Sequence, residues 1–118
     1  MKLTGKIIHG KGRGHEMSLP TINLDQHPQD LEMGVYAAWV LSNGVKYKGA
    51  MNWGPRPTFD EEFPVMEVHL IDFDADIYGL EVEIEVVEKI RDIIKFDSKE
   101  NLIEQIKKDI AVATDLLI

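Results

Sequence analysis

The chain has 118 residues, a formal net charge of −8, 44% hydrophobic and 29% charged residues, and no cysteine. That length implies one domain, 1–118, able to bury a core without staples, and the lack of cysteine excludes disulfides and thiolate chemistry. The acidic surface repels nucleic-acid phosphates, no apolar run approaches the roughly 20 residues of a membrane span, and the first residues show no signal-peptide core. A cytoplasmic protein is expected, with neither nucleic acid nor membrane as partner.

The β-branched run Leu3 to His9 predicts a first strand. The stretch Gly10 to Asn23 follows, G-K-G-R-G-H-E-M-S-L-P-T-I-N. Gly10, Gly12 and Gly14 allow a backbone to approach an anion closely, successive N–H groups can form a concave anion site, and Arg13 adds a fork suited to phosphate. Thr21 and Asn23 offer hard oxygen ligands of the kind Mg²⁺ accepts beside phosphate. The stretch is neither a Walker A loop nor a Rossmann fingerprint, and a plain glycine-rich turn between strands is the competing reading.

Pro20 to Leu24 is predicted to be extended. Val35 to Leu41 reads as a buried strand, because Gly34 precedes it and Ser42-Asn43-Gly44 follows as a hairpin signal. Val45 to Met51 pairs back. Asn52 to Phe59, N-W-G-P-R-P-T-F, is predicted to be irregular for its glycine and two prolines. Pro64 to Phe73 reads as a strand, Asp74 to Gly79 as a turn, and Leu80 to Ile90 as a half-solvated strand with Val82, Ile84 and Val86 on one face and Glu81, Glu83 and Glu85 on the other. A helix follows, with Asp97 as N-cap in a D-x-x-E box with Glu100 and Leu102, Ile103, Ile106 and Ile110 at helical spacing. Short strands followed by one helix predict a small antiparallel barrel.

Within M-E-V-H-L, alternation puts Met66, Val68 and Leu70 on one face and Glu67, His69 and Ile71 on the other. A carboxylate among apolar strand residues is costly to bury ionised. Glu67 is therefore read as standing at an open barrel mouth, as a group kept for proton abstraction, or as a solvated or salt-bridged glutamate, with Arg91 or Arg13 as candidate partners. His9, His15, His27 and His69 lack zinc spacing and read as surface or hydrogen-bonded side chains. Trp53 either lines a pocket or caps the core. Arg91 and Phe96, in R-D-I-I-K-F-D-S, are placed either to hold a planar ligand or to serve as a connector docked on the core. Thr21 is taken as an exposed loop hydroxyl whose removal would cost little stability.

Taken together, H-G-K-G-R-G, L-P-T-I-N-L, G-V-Y-A, N-W-G-P-R-P-T-F, M-E-V-H-L-I-D-F, D-I-Y-G and I-R-D-I-I-K-F-D-S, with Leu102 to Asp109 after them, occur in an order that resembles the riboflavin kinase (flavokinase) family over residues 5 to 113. The resemblance implies a mainly β fold, a six-stranded antiparallel Greek-key-like barrel with a C-terminal α-helix. It implies ATP- and Mg²⁺-dependent phosphorylation of the ribityl 5′-hydroxyl of riboflavin, giving FMN and ADP. Residue by residue, it implies nucleotide contacts at Gly10, Gly12, Arg13, Gly14, Thr21, Leu70, Asp72 and Tyr78. It also implies Mg²⁺ at Thr21 and Asn23, flavin beside Arg91 and Phe96, and Glu67 as general base. The implied partners are small molecules, with room for a separate or excised FAD synthetase domain; the nucleotide-binding H-x-G-H of that activity is absent here.

Two positions depart from the family's usual L-G-F-P-T-A-N: Ser18 stands for a loop glycine, and Ile22 for the alanine between the two metal-site residues. Ile22 either crowds the site or points into the core. The alternative function is a catalytically weak flavin-binding regulatory module on the same barrel. An OB-like nucleic-acid barrel is disfavoured by charge and by the lack of a basic-aromatic strand face.

Overall fold

A computed structural model describes residues 1–8, 21–71 and 81–118. Its strands are β1 (Lys2–Ile8), β2 (Thr21–Leu24), β3 (Gly34–Ser42), β4 (Val45–Arg56), β5 (Glu61–Leu70) and β6 (Glu81–Arg91), and one helix, α1 (Lys99–Leu116), ends the chain. All pairings are antiparallel, and the sheet closes in the order β1-β2-β5-β4-β3-β6. β3, β4 and β5 form a meander, and β6 returns beside β3. That is the Greek-key order, as the resemblance implies.

The hairpin between β3 and β4 turns on Asn43 and Gly44, with φ of 50° and 77°. Two positive φ values make the turn twist with its strands, which is why Asn-Gly suits it. The N-W-G-P-R-P-T-F stretch departs from expectation. Asn52 to Arg56 continue β4, and only Pro57–Phe59 leave it, as a short 3-10 turn. The prolines are tolerated because the ladder is broken there. Gly54 (φ 141°) pairs with Val65 while Arg56 pairs with Glu61, so Pro55 of β4 stands against three residues of β5, Glu62, Phe63 and Pro64. Such a bulge frees Pro55 and Pro64 from donating to the ladder.

The helix N-cap is Ser98 rather than Asp97. Ser98 has extended dihedrals, its Oγ accepts from Asn101 N at 3.1 Å, and its carbonyl accepts the first helical bond from Leu102 N. The cap follows the residue with the required non-helical backbone, not the one with the better acidic partner.

Period two along each strand sorts side chains into two environments. The barrel interior takes Ile22, Leu24, Val40, Met51, Met66, Val68 and Leu70, all at most 4% exposed. A barrel of this size is filled by side chains, and each such apolar group stabilises the fold by about 1.5–3 kcal/mol. Ile22 thus points into the core. Trp53 also faces inward, its Nε1 donating to the Leu31 carbonyl at 3.0 Å. The outer faces of β3 and β4 are covered by α1. The small Ala37 and Ala50 bring Ala113 and Leu117 of the helix close, with Trp39, Ile71, Ile90 and Ile110 around them.

Candidate active site

The outer wall carries the polar residues. Register sets Asn23 of β2 opposite Glu67 of β5, Glu67 opposite Asn52 of β4, Asn52 opposite Val35 of β3, and Val35 opposite Arg91 of β6. One row across four strand pairs therefore joins Asn23, Glu67 and Arg91. The neighbouring row sets Thr21 opposite His69 and His69 opposite Ala50. Directly opposed residues stand with Cβ atoms about 4.5–5.5 Å apart, so Thr21 and Asn23 flank Glu67 and His69 on one face.

Glu67 and His69 are only 2% and 6% exposed. They are not at an open barrel mouth. They lie under the cover of the Pro57–Phe59 turn, residues 93–94 and α1, which line a cavity of about 40 Å³ together with Asn52, Arg56, Arg91 and Asp109. That is well below the roughly 300–1,000 Å³ of ordinary ligand sites. Two ties join the covering segments: Phe96 N donates to Thr58 Oγ1 at 3.0 Å, and Lys95 Nζ reaches Asp60 at 3.2 Å.

Glu67, His69 and Asp109, all buried, each have a hydrogen-bond partner, as low dielectric requires. Glu67 Oε2 accepts from Arg56 Nη1 at 2.6 Å, and Glu67 Oε1 lies 3.6 Å from His69 Nε2. His69 Nδ1 and Thr21 Oγ1 share a hydrogen bond of 2.9 Å. Burial holds the His69 imidazole below the ordinary histidine value, against the opposing pull of the Glu67 carboxylate. Arg91 donates from Nε and Nη2 to both oxygens of Asp109, which is 2% exposed, and its guanidinium lies 5.6 Å from the centre of the Phe96 ring.

The structure thus brings Thr21, Asn23 and Glu67 together, and Arg91 with Phe96. Thr21 is not a loop hydroxyl; it stands in β2, half-buried, bonded to a buried histidine. Leu70 faces the interior at 3% exposure, which leaves its backbone alone to meet a ligand. Gly10, Gly12, Arg13, Gly14, Ser18, Asp72 and Tyr78 lie outside the described residues. Arg91 is not the partner of Glu67: Glu67 pairs with Arg56 and Arg91 with Asp109, while Arg13 lies outside the described residues. Arg56, His69, Asn52 and Asp109 were not singled out by sequence. Only alternation, which put His69 on the face of Glu67, signalled any of them.

The oxygen donors of Thr21 and Asn23 fit a small hard cation that keeps phosphate oxygens and water as its other ligands. No group of three His, Cys, Asp or Glu residues that could cage a metal occurs among the described residues. No helix among them is long and apolar enough to cross a membrane.

The family model for riboflavin kinase (Flavokinase) matches residues 1–117. A bifunctional riboflavin kinase/FMN adenylyltransferase of Haemophilus influenzae is 42% identical over 114 residues, covering 95% of this chain and 37% of that protein. An RNA-binding riboflavin kinase, RibR, of Bacillus subtilis is 38% identical over 110 residues, covering 92% of this chain and 48% of that protein. The chain thus spans less than half the length of these curated relatives. Among solved structures, a riboflavin kinase from Trypanosoma brucei superposes with a TM-score of 0.65 at 25% identity, covering 98% of this chain and 78% of that one. A crystal structure described as a macrolide-efflux protein from Streptococcus pneumoniae gives 0.83 at 36% identity, covering 96% and 38%. With a family match over nearly its whole length and the same closed barrel and C-terminal helix, the chain belongs to the riboflavin kinase family.

Proposed function

We propose that this chain transfers the γ-phosphoryl group of ATP to the 5′-hydroxyl of riboflavin, giving FMN and ADP. The observation that carries the reading is the strand register that sets Thr21 and Asn23 against Glu67 and His69 on the covered outer wall, with Arg91 in the row of Asn23 and Glu67. Phosphoryl transfer asks a protein for positioning and charge stabilisation more than for covalent help. Glu67 supplies the base: it accepts the hydroxyl proton as the O5′–P bond forms and the bridging bond to ADP breaks.

Arg91 and Phe96 offer a cation and a ring to the flavin, with Asp109 fixing the guanidinium plane. Remote binding of the flavin then holds its hydroxyl near the base. Thr21 and Asn23 would hold Mg²⁺, which supplies neutralisation of the phosphate charge when bound. Gly10, Gly12, Arg13 and Gly14 are proposed to wrap the phosphates, with Leu70 (through its backbone), Asp72 and Tyr78 beside the nucleotide. Entry of an isoalloxazine requires the Pro57–Phe59 turn and the segment 93–96 to part. Thr58→Ala, which removes one tie, should speed riboflavin association in stopped-flow fluorescence; an unchanged rate would exclude this gate.

The test is direct. Incubated with riboflavin, ATP and Mg²⁺, the purified chain should yield FMN by chromatography, and excess chelator should abolish it. Quenching of riboflavin fluorescence without FMN would support the flavin-binding regulatory module instead.

A further inference from the structure

We infer that Arg56 is a positioning residue for this transfer: it clamps Oε2 of Glu67, so that Oε1 is the oxygen presented to the riboflavin hydroxyl. The inference rests on the kinase reading above.

The clamp is built by the bulge in β4. Regular pairing stops at Gly54 and Val65, and Arg56 is set opposite Glu61, six residues before Glu67 on β5. From there the guanidinium holds two carboxylates of one strand. Nη1 is 2.6 Å from Glu67 Oε2, and Nε is 3.1 Å from Glu61 Oε2, an ion-pair distance without hydrogen-bond alignment. The three side chains are 8%, 3% and 11% exposed. A guanidinium does not deprotonate in proteins, and a buried pair that loses one partner leaves an uncompensated charge. Glu67 is therefore held on its Oε2 side by a contact that is costly to break.

Its other oxygen is differently placed. Oε1 faces His69 Nε2 at 3.6 Å, beyond hydrogen-bond range. It belongs to a side chain that lines the 40 Å³ cavity with Arg91 and Asp109. Arg56 lines that cavity and also a second one beside Asn23 and Ile8, the last described residue before the glycine-rich stretch. Arg56 thus stands in the wall between the cavity lined by Arg91 and the one lined by Asn23, where a shift of Glu67 toward either would misplace the base. A misplacement of about 1 Å can cost on the order of 10²-fold in rate.

A double-mutant cycle separates this role from a merely structural ion pair. Lysine keeps the charge but lacks the rigid fork. Arg56→Lys should lower the saturated rate about tenfold or more while both KM values stay within about threefold, the pattern of an interaction made in the transition state. On a Glu67→Gln background the same substitution should remove almost nothing further, because residues acting through one another are not additive. Equal losses in both backgrounds, or a change confined to KM or melting temperature, would overturn the inference. If Arg56→Lys does not fold, Glu61→Gln supplies the cycle, since it loosens the Nε side without stranding a buried cation, and the same non-additivity is expected. A wild-type chain that forms no FMN overturns the kinase reading and this inference with it; an active wild type with additive losses overturns the inference alone.

Discussion

β5 has two faces, and they live by different rules. Met66, Val68 and Leu70 point into the barrel, among the apolar side chains of its core. Glu67 and His69, one residue away each, point outward and are just as buried, but under a helix and a turn rather than inside a sheet. The interior tolerates its residues because burying them is favourable in itself. The outer wall tolerates its residues only because each is paired: Glu67 with Arg56, His69 with Thr21, Arg91 with Asp109. Substitutions on the inner face should therefore be read in stability, and those on the outer face in turnover.

The largest expected effect is on the outer face. Glu67→Gln keeps size and an oxygen for Arg56 but cannot take the hydroxyl proton, and loss of a general base typically costs about 10²–10⁴-fold. Flavin and nucleotide affinities should change far less, because the loss falls on the transition state. A saturated rate within a few-fold of wild type, with a lowered melting temperature, would leave Glu67 as the structural partner of Arg56. The inner face supplies the control. Met66→Ala, at a position 1% exposed, should cost about 2–5 kcal/mol in denaturant unfolding, with the rate per folded molecule unchanged. A catalytic defect without that loss of stability would break the division between the faces.

Thr21→Ala crosses the division, and its effect is smaller. It removes a proposed metal ligand and also the partner of a buried imidazole nitrogen. Leaving that nitrogen unpaired costs about 1–3 kcal/mol, so this variant should lose stability as well as turnover. The turnover loss should be partly recovered at high Mg²⁺ and the stability loss should not. Recovery of neither would make Thr21 purely structural.

Much of this was legible in the sequence, for physical reasons. Alternation in β5 and β6 and the Asn43-Gly44 turn are local signals, and local geometry obeyed them. The proximity of Thr21, Asn23 and Glu67 came from resemblance, and register then accounted for it. The continuation of β4 through Pro55 was not legible, because a proline rule that holds in a ladder lapses at a bulge. Arg56 was passed over for a related reason. Which cation meets a buried carboxylate is fixed by register and by the bulge, not by spacing along the chain, and Arg91 had an equally plausible claim until Asp109 took it. Alternation also placed Leu70 with Met66 and Val68, the face that turns into the core.

The smallest effect concerns pH and belongs to His69. Burial lowers its folded value below the unfolded one of about 6.5. Above that value both states carry a neutral ring, and the residue contributes no pH dependence. As pH falls below about 6.5, the unfolded chain takes up a proton that the folded chain refuses, so the unfolded state is favoured and stability declines until the lowered folded value is reached. His69→Gln, whose amide does not titrate, should lack this decline. The difference in unfolding free energy between wild type and variant should be largest near pH 7.5 and narrow toward pH 5. Chemical denaturation at several pH values reads it directly. A difference that widens on acidification would mean that the Glu67 carboxylate outweighs burial and holds the imidazole protonated. Nδ1 of the protonated ring would then donate to Thr21 Oγ1, which leaves the hydroxyl proton for another acceptor.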